Sequence, residues 1–310
     1  SGLGRINVVR IHPIDDNILY AGASTGGLWI SKDRGKSWNV SPFTDVMSIG
    51  ISDIAIAPSN PSTIYIATGD KNGAFQSRAF SIGILKSTDG GKSWGFTKAF
   101  TQISAQTLFA RILVNKTNPN IIYSGTTSGF YISNDGGENW EKKADGYFRE
   151  LEFHPTNPNI IYGVVSGTAS YSSTAAQIMV SKDGGNSWVS KLTLSNISRI
   201  ELSTSPAEPN NLYALCAMRN SGRFGGYYVS EDMGDNWSLK SSSPNILGID
   251  ANSNDYSQGF YDLAHVVHPT YPNQIFIGGI HIFYSSDYGV TWNQINHWTG
   301  AGRPYVHADQ

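Results

Sequence analysis

The chain has 310 residues, a formal net charge of −2, 15% charged residues, 33 glycines and one cysteine. This length suits one large domain with an ample buried core. The near-neutral charge excludes a strong electrostatic field that would attract nucleic acid or an anionic membrane. No apolar run is long enough to form a membrane-spanning helix. Because Cys216 is the only cysteine, an internal disulfide is excluded.

A motif that begins with serine and ends in tryptophan occurs six times. Its first copy reads Ser31-Lys-Asp33-Arg-Gly35-Lys-Ser-Trp38, and its aspartates recur at intervals from 46 residues (Asp89 to Asp135) to 56 residues (Asp33 to Asp89). A repeat of about 50 residues made of short strands predicts propeller blades rather than a helical solenoid. The aspartates and tryptophans of the six copies are Asp33, Asp89, Asp135, Asp183, Asp232, Asp287, Trp38, Trp94, Trp140, Trp188, Trp237 and Trp292.

A proline-containing turn precedes each of these motifs, as in Asn60-Pro61 and His154-Pro155, and an apolar strand follows the turn. Each repeat is therefore predicted to form four strands, and no stretch has a helical period. In the fourth repeat the predicted strands are 148–153, 160–165, 177–180 and 188–192. The predicted fold is all-β, a propeller of four-stranded antiparallel blades, with six blades in this chain plus the first strand of a seventh.

The two ends of the chain favour a longer parent protein. Residues 303–310 have the pattern of another first strand, so we expect a single domain over 1–310 whose parent continues into further blades. The alternative is that this strand closes a six-blade ring. The abrupt start at Ser1 is typical of a processed product, and the composition, rich in Ser, Thr, Asn and Gly, suits a secreted or cell-surface bacterial protein.

The tryptophan-ending motif resembles the Asp-box, also called the BNR repeat. On its six copies the whole chain is similar to the Asp-box β-propeller superfamily, which includes sialidases, xyloglucan endoglucanases, the sortilin luminal domain and photosystem assembly factors. The resemblance implies that the aspartates and tryptophans of the six boxes are structural and lie at the periphery, away from the active face.

The loops whose length differs from one blade to the next are the predicted binding region. The turns before the strands and the Asp-boxes are nearly constant, whereas the loops between strands two and three and between blades vary in length. We expect these variable loops to share one open face. On the first strands one alignment column reads Val8, Asp53, Arg111, Glu150, Glu201 and Ala264, and its four charged residues predict a charge network. The next column is apolar except for a histidine: Val9, Ile54, Ile112, Leu151, Leu202 and His265.

Aspartates and aromatic residues of these loops are the candidate site residues. A glycosidase needs two carboxylates, about 5–5.5 Å apart for retention or about 6.5–9.5 Å for inversion. The catalytic candidates are Asp70, Asp262 and Asp309, and the ligand-binding candidates are Tyr147, Tyr256, Tyr261, His265, Trp298, Arg303, Tyr305 and His307.

Histidines concentrate near the end of the chain, where His307 and Asp309 lie on one face of the predicted last strand. They are weak candidates for metal ligands, since such spacing is not specific, and hydrogen-bonded structural histidines are the plainer interpretation. No cofactor is expected, and a bound structural cation remains an alternative.

Two functions remain open. The first is a secreted or cell-surface propeller that binds an extracellular glycan or protein through its open face. The alternative is a glycoside hydrolase similar to the xyloglucan endoglucanases. The resemblance implies that such an enzyme uses two catalytic aspartates in a cleft between two propellers. Neither of these aspartates can be assigned in this sequence by a matching motif. A sialidase is disfavoured because Arg5-Ile-Asn7 departs from the Arg-Ile-Pro motif of that family. Expected partners are an extracellular polysaccharide or protein and further domains of the parent, with no nucleic acid and no transmembrane segment.

Overall fold

A computed structural model describes residues 5–42, 44, 49–71, 81–103, 107–166, 175–249 and 257–305. Within them the protein is all-β, with 24 strands, one four-residue helix and six separate four-stranded sheets. By compactness the chain divides into two units, residues 1–151 and 152–310, each described here by itself.

The first unit holds three complete sheets and most of β13 (Tyr147–Phe153), the first strand of the fourth sheet. Each sheet is antiparallel, and its strands follow one another in chain order. The strands of the first sheet are β1 (Ile6–His12), β2 (Asp15–Ala23), β3 (Leu28–Ser31) and β4 (Asn39–Val40). Those of the second are β5 (Ile51–Ile56), β6 (Ile64–Thr68), β7 (Ile84–Ser87) and β8 (Gly95–Phe96). Helix α1 (Ala99–Gln102) precedes the third, β9 (Phe109–Val114), β10 (Ile122–Thr126), β11 (Gly129–Ser133) and β12 (Glu141–Ala144).

The remaining three sheets repeat the same plan. The fourth consists of β13 (Tyr147–Phe153), β14 (Ile161–Ser166), β15 (Ala176–Ser181) and β16 (Val189–Leu194). The fifth consists of β17 (Ile197–Thr204), β18 (Leu212–Met218), β19 (Phe224–Ser230) and β20 (Ser238–Ser241). The sixth consists of β21 (Ala264–Val267), β22 (Ile275–Gly278), β23 (Ile282–Ser285) and β24 (Asn293–Gln294). The predicted class, six four-stranded antiparallel propeller blades, is confirmed.

Apolar side chains between consecutive sheets form the core of each unit. In the first unit Ile51 and Ile54 of the second sheet pack with Val8 and Leu28 of the first. In the second unit Tyr227 of the fifth sheet packs with Phe283 of the sixth. Second strands such as β6 and β10 are buried along their whole length in these layers. Cys216 lies in such a layer, fully buried, and burial raises the pKa of its thiol.

No helix in the described part of the chain is long and apolar enough to cross a membrane. The only helix there, α1, is a single turn in the connection between the second and third sheets.

Candidate functional site

The six Asp-box hairpins share one hydrogen-bond pattern. In the first, the Ser31 hydroxyl donates to the Asp33 carboxylate at 2.8 Å and accepts the Gly35 N–H at 2.8 Å. The backbone N–H and hydroxyl of Ser37 donate to the same carboxylate at 2.8 and 2.6 Å. The residue after the aspartate has positive φ in every box: Arg34, Gly90, Gly136, Gly184, Met233 and Tyr288. The aspartate therefore closes the turn between strands three and four.

These hydrogen bonds keep the box carboxylates ionised. The side-chain and backbone hydrogen bonds from Ser37 lower the pKa of Asp33 to about 2. Those from Asn139 do the same for Asp135, whose pKa is also about 2. Each of these carboxylates accepts hydrogen bonds from its own turn, so its role in the hairpin is structural. None of them is placed to act as a catalytic acid or base.

Four charged side chains meet along the first strands of the first unit, and we call them the first-strand cluster: Arg10, Asp53, Arg111 and Glu150. Asp53 is fully buried and accepts from Arg10 Nη2 at 2.7 Å, with Arg111 Nη1 at 3.5 Å. Arg111 Nε donates to Glu150 Oε1 at 2.6 Å. The predicted network is thus present for Asp53, Arg111 and Glu150.

The positive neighbours decide the charge of Asp53. Burial alone would raise the pKa of this carboxyl, but the charges of Arg10, Arg111 and Lys71 lower it, helped by a hydrogen bond from the Ile112 N–H at 3.1 Å. Asp53 is therefore ionised inside the unit.

Arg10 joins this cluster from a position two residues after Val8. A register shift comes directly before Val8 in β1 and directly before Asp53 in β5, so these two residues correspond as the alignment has them. Alternate residues of a strand share a face, and Arg10 reaches Asp53 from the side on which Val8 is buried. Val9, in the apolar column, is 52% exposed.

The catalytic candidate Asp70 lies just after β6 and is buried, with 2% of its surface exposed. It forms an ion pair with Arg5, and Asn7 Nδ2 donates to it at 3.3 Å. Because its charge is balanced by Arg5, Asp70 acts in this structure as the anchor of the segment before β1.

In the second unit the predicted network member Glu201 has a different partner. Arg199, two residues earlier on β17, donates to Glu201 Oε1 at 2.9 Å. The same guanidinium donates to the carbonyls of Tyr261 at 2.8 Å and Leu263 at 3.2 Å. Arg199 therefore fixes the segment that leads into β21. Arg199 is not among the residues predicted from the sequence, although its i, i+2 spacing from Glu201 places the two side chains on one face of the strand.

His265 replaces the apolar residue of the other blades on β21. Its Nε2 lies 2.9 Å from the Tyr227 hydroxyl, and the two rings meet edge to face with centroids 5.4 Å apart. Burial lowers the pKa of His265 to about 4, against the opposing effect of the Glu201 charge. His265 is thus a neutral, hydrogen-bonded part of the packing between the fifth and sixth sheets.

Two further candidates are covered rather than exposed. Asp262 is buried, with 4% of its surface exposed, and its N–H donates to the Gln258 carbonyl at 2.8 Å. Tyr147 at the start of β13 is also 4% exposed. Tyr261 is half-buried. The structure therefore does not offer the Asp262 carboxyl or the Tyr147 ring on an accessible surface.

The loop after β24, residues 295–305, brings three of the candidates together on the surface. Trp298 is 37% exposed and Tyr305 is 67% exposed, and Arg303 is exposed beside them. Tyr305 forms an isolated parallel bridge to His297. The His297 ring lies against the buried His281 ring, with centroids 4.6 Å apart. This loop has the aromatic exposure that sugar binding requires.

Tyr256, His307 and Asp309 lie outside the described residues. Over the part of the chain that the structure covers, no group of three or more His, Cys, Asp and Glu side chains is arranged to hold a metal ion. The weak metal candidates His307 and Asp309 stay predictions.

Comparisons of the sequence with known proteins match only part of the chain. The family model described as "Sortilin, neurotensin receptor 3" matches residues 83–223. A xyloglucanase of Paenibacillus sp is 25% identical over 154 residues, which are 46% of this chain and 15% of that protein. A probable oligoxyloglucan-reducing end-specific xyloglucanase of Neosartorya fischeri is 35% identical over 97 residues, 30% of this chain and 11% of its own length.

Solved structures show the same architecture at low identity. The GH74 enzyme of Niastella koreensis aligns with a TM-score of 0.69 at 20% identity, covering 94% of this chain and 45% of that one. YCF48 bound to a D1 peptide aligns with a TM-score of 0.61 at 18% identity, covering 94% of this chain and 82% of that one. The chain thus spans less than half the length of the GH74 enzyme, and these likenesses show the fold.

Proposed function

We propose that this chain, whose four-stranded blades and six Asp-box hairpins fit an Asp-box-like β-propeller, is the glycan-binding propeller of a glycoside hydrolase that acts on a xyloglucan-type polysaccharide. The observation that supports this most directly is the sequence similarity to xyloglucanases, from 25% to 35% identity over the matched segments. A polysaccharide substrate implies that the protein works outside the cell, as part of a secreted or cell-surface protein.

The loop of residues 295–305 supplies a binding surface for this function. Trp298 and Tyr305 offer exposed rings on which the apolar faces of sugar residues stack, and Arg303 adds hydrogen-bond donors beside them. Aromatic rings with a few directed polar groups are the usual composition of a ligand site.

Cleavage requires more than this surface. A glycosidase uses one carboxyl as acid and a second carboxylate as base or nucleophile. Asp70 is buried in an ion pair with Arg5, and Asp262 is buried as well. We therefore expect the chain by itself to bind polysaccharide and to release few reducing ends.

Affinity gel electrophoresis in gels that contain xyloglucan tests the proposal, with a reducing-end assay on the same protein. We expect the polysaccharide to retard the chain, and Trp298→Ala and Tyr305→Ala each to weaken binding by about tenfold, the equivalent of roughly 1.4 kcal/mol. Tyr271→Ala, which removes an exposed aromatic of a β-turn, is the matched control. Equal mobility with and without xyloglucan would refute the proposal, as would an equal loss in the control variant.

A second candidate function is the binding of an extended peptide or protein. It is favoured by the likeness to YCF48 bound to a D1 peptide, because the chain covers 82% of that protein. Selection of a displayed peptide library on the immobilised chain tests it. Enrichment of one peptide motif, competed by the free peptide and not by xyloglucan, would favour this second function over the first.

A further inference from the structure

A histidine closes the turn that carries the exposed Trp298 in the loop of residues 295–305. The His297 Nδ1 accepts the Thr299 backbone N–H at 3.1 Å, and the Thr299 hydroxyl oxygen lies 2.8 Å from the same nitrogen. The His297 carbonyl accepts the Gly300 N–H at 3.0 Å. The ring and the backbone of His297 therefore hold the turn together on both sides of Trp298.

This turn requires the neutral form of the His297 ring. A backbone N–H can only donate, so the nitrogen that accepts it must carry a lone pair and the ring proton must be on Nε2. A protonated imidazole carries hydrogens on both nitrogens. Protonation of His297 would therefore break the hydrogen bond from Thr299 and set two donors against each other.

The segments packed against His297 supply no negative charge that would compensate a protonated ring. On one side its ring lies against the ring of His281, which is 2% exposed, with centroids 4.6 Å apart. On the other side the His297 N–H donates to the Pro304 carbonyl at 3.1 Å, and Tyr305 forms its bridge there. The titratable groups of these two segments are His281, Arg303 and Tyr305, and none of them is a carboxylate.

The blade turns show which residue can replace such a histidine without titrating. In three of them the Nδ1 atoms of His12, His154 and His268 accept the N–H of the residue three positions later, at 3.1 to 3.2 Å. The third blade has Asn115 in this place, and its Oδ1 accepts the equivalent N–H at 3.1 Å. An amide oxygen accepts in the same way and gains no proton, so asparagine keeps the hydrogen bond at every pH.

We propose that His297 makes glycan binding by the loop of residues 295–305 dependent on pH. The neutral ring holds Trp298 in the arrangement that binds sugar, and the protonated ring releases the turn. This inference rests on the proposed function, because it concerns the regulation of the same loop. Histidine changes its charge between about pH 5 and 8, and the apparent affinity falls with the fraction of molecules that are competent to bind. The polysaccharide is therefore held at neutral and alkaline pH and released in acid.

Calorimetric titration with a xyloglucan oligosaccharide at pH 8 and pH 5.5 tests this inference. We expect the affinity of the wild type to fall by about tenfold between the two pH values. His297→Asn supplies an acceptor of the kind that Asn115 provides, so it should bind as the wild type does at pH 8 and keep that affinity at pH 5.5. His268→Asn is the matched control, since it removes a histidine with the same role from a blade turn and should leave the pH dependence unchanged.

The outcomes separate this inference from the proposed function. A wild type that binds no sugar at pH 8 refutes the proposed function itself. Equal affinity at both pH values refutes the pH dependence alone, as does a loss in His297→Asn that matches the wild type. Hydrogen exchange, corrected for the intrinsic rate at each pH, is the second measurement. Protection of residues 295–305 should fall from pH 8 to pH 5.5 in the wild type and not in His297→Asn, and unchanged protection in the wild type would overturn the inference.

Discussion

At the scale of single residues, the Asp-box carboxylates owe their low pKa to hydrogen bonds rather than to burial. Asp33 accepts from Ser31 and twice from Ser37, and its pKa falls to about 2. The same arrangement lowers the pKa of Asp89, Asp135 and Asp232. The hydrogen bonds of each of these turns therefore depend on the ionised form of its aspartate.

This predicts an acid-sensitive fold. An unfolded aspartate titrates near pH 3.9, so the boxes contribute their full stability above about pH 4 and lose it as the pH falls toward about 2. Circular dichroism melts at pH 5, 3.5 and 2.5 should show a falling unfolding temperature over this window. Asp33→Ala should flatten this pH dependence slightly while lowering the unfolding temperature at pH 5. Equal stability at pH 5 and 2.5 would contradict the assignment.

The folding stability should also depend on pH through His265, over a pH range different from that of the Asp-boxes. His265 is neutral in the folded state because burial lowers its pKa to about 4, whereas an unfolded histidine binds its proton near pH 6.5. The unfolded state then binds more protons, so this contribution to stability is complete above pH 6.5 and is lost as the pH falls toward 4, by up to about 3 kcal/mol.

The variant His265→Phe should remove most of this loss, because phenylalanine matches the apolar residues of the other first strands and has no proton to bind. Urea unfolding at pH 7 and pH 4.5 measures the difference. His12→Asn is the matched control, since His12 accepts turn N–H groups from Ile14 and Asp15 and is not part of the interior. A wild-type protein with the same free energy of unfolding at both pH values would show that the pKa of His265 is not lowered in the folded state.

At the scale of strands and sheets, the first-strand cluster joins charges that lie far apart in sequence. Arg10 and Asp53 are 43 residues apart, and Arg111 and Asp53 are 58 apart. Such a cluster costs desolvation, and its contribution depends on every partner being present.

Asp53→Asn should therefore be strongly destabilising, because it leaves the Arg10 and Arg111 charges without their buried counter-ion. We expect a loss of about 3–5 kcal/mol in the free energy of unfolding. Asp16→Asn breaks an ion pair to Arg34 in which both side chains are more than 60% exposed, and should change stability by less than about 1 kcal/mol. Urea unfolding of the two variants side by side measures the contrast, and similar losses would show that the cluster is solvated.

The sequence predicts the strands well and the partners of the charged residues poorly. The four strands of the fourth blade appear within two residues of the predicted ends, since turn residues and apolar runs are local signals. The place of Arg10 could not be read, because it is fixed by hydrogen bonds to Asp53 and Ile54, which are 43 and 44 residues away in the sequence.

The candidate site was less predictable for a similar reason. Asp70 and Asp262 look like loop carboxylates in the sequence, yet the structure buries both. The Asp70 partner Arg5 lies 65 residues away, a distance at which sequence patterns carry no pairing information. By contrast, the exposure of Trp298 and Tyr305 agrees with their position in a variable loop.

At the scale of the whole molecule, charge distinguishes a glycan partner from a polyanion. The net charge is −2 and only 15% of the residues are charged, so the molecule has no large field to attract an anionic polymer. Sugar binding through stacking and uncharged hydrogen bonds should then respond little to salt, because screening acts on charge pairs.

Xyloglucan affinity should accordingly change by less than about twofold between about 50 and 500 mM NaCl. Binding to a nucleic acid or a polyuronate would instead fall steeply over the same range, because each neutralised charge releases a counter-ion. Titration calorimetry at both salt concentrations makes the measurement, with polygalacturonate as the charged comparison. A steep loss of xyloglucan affinity in high salt would show that exposed charges such as Arg303, rather than the rings of Trp298 and Tyr305, carry the contact.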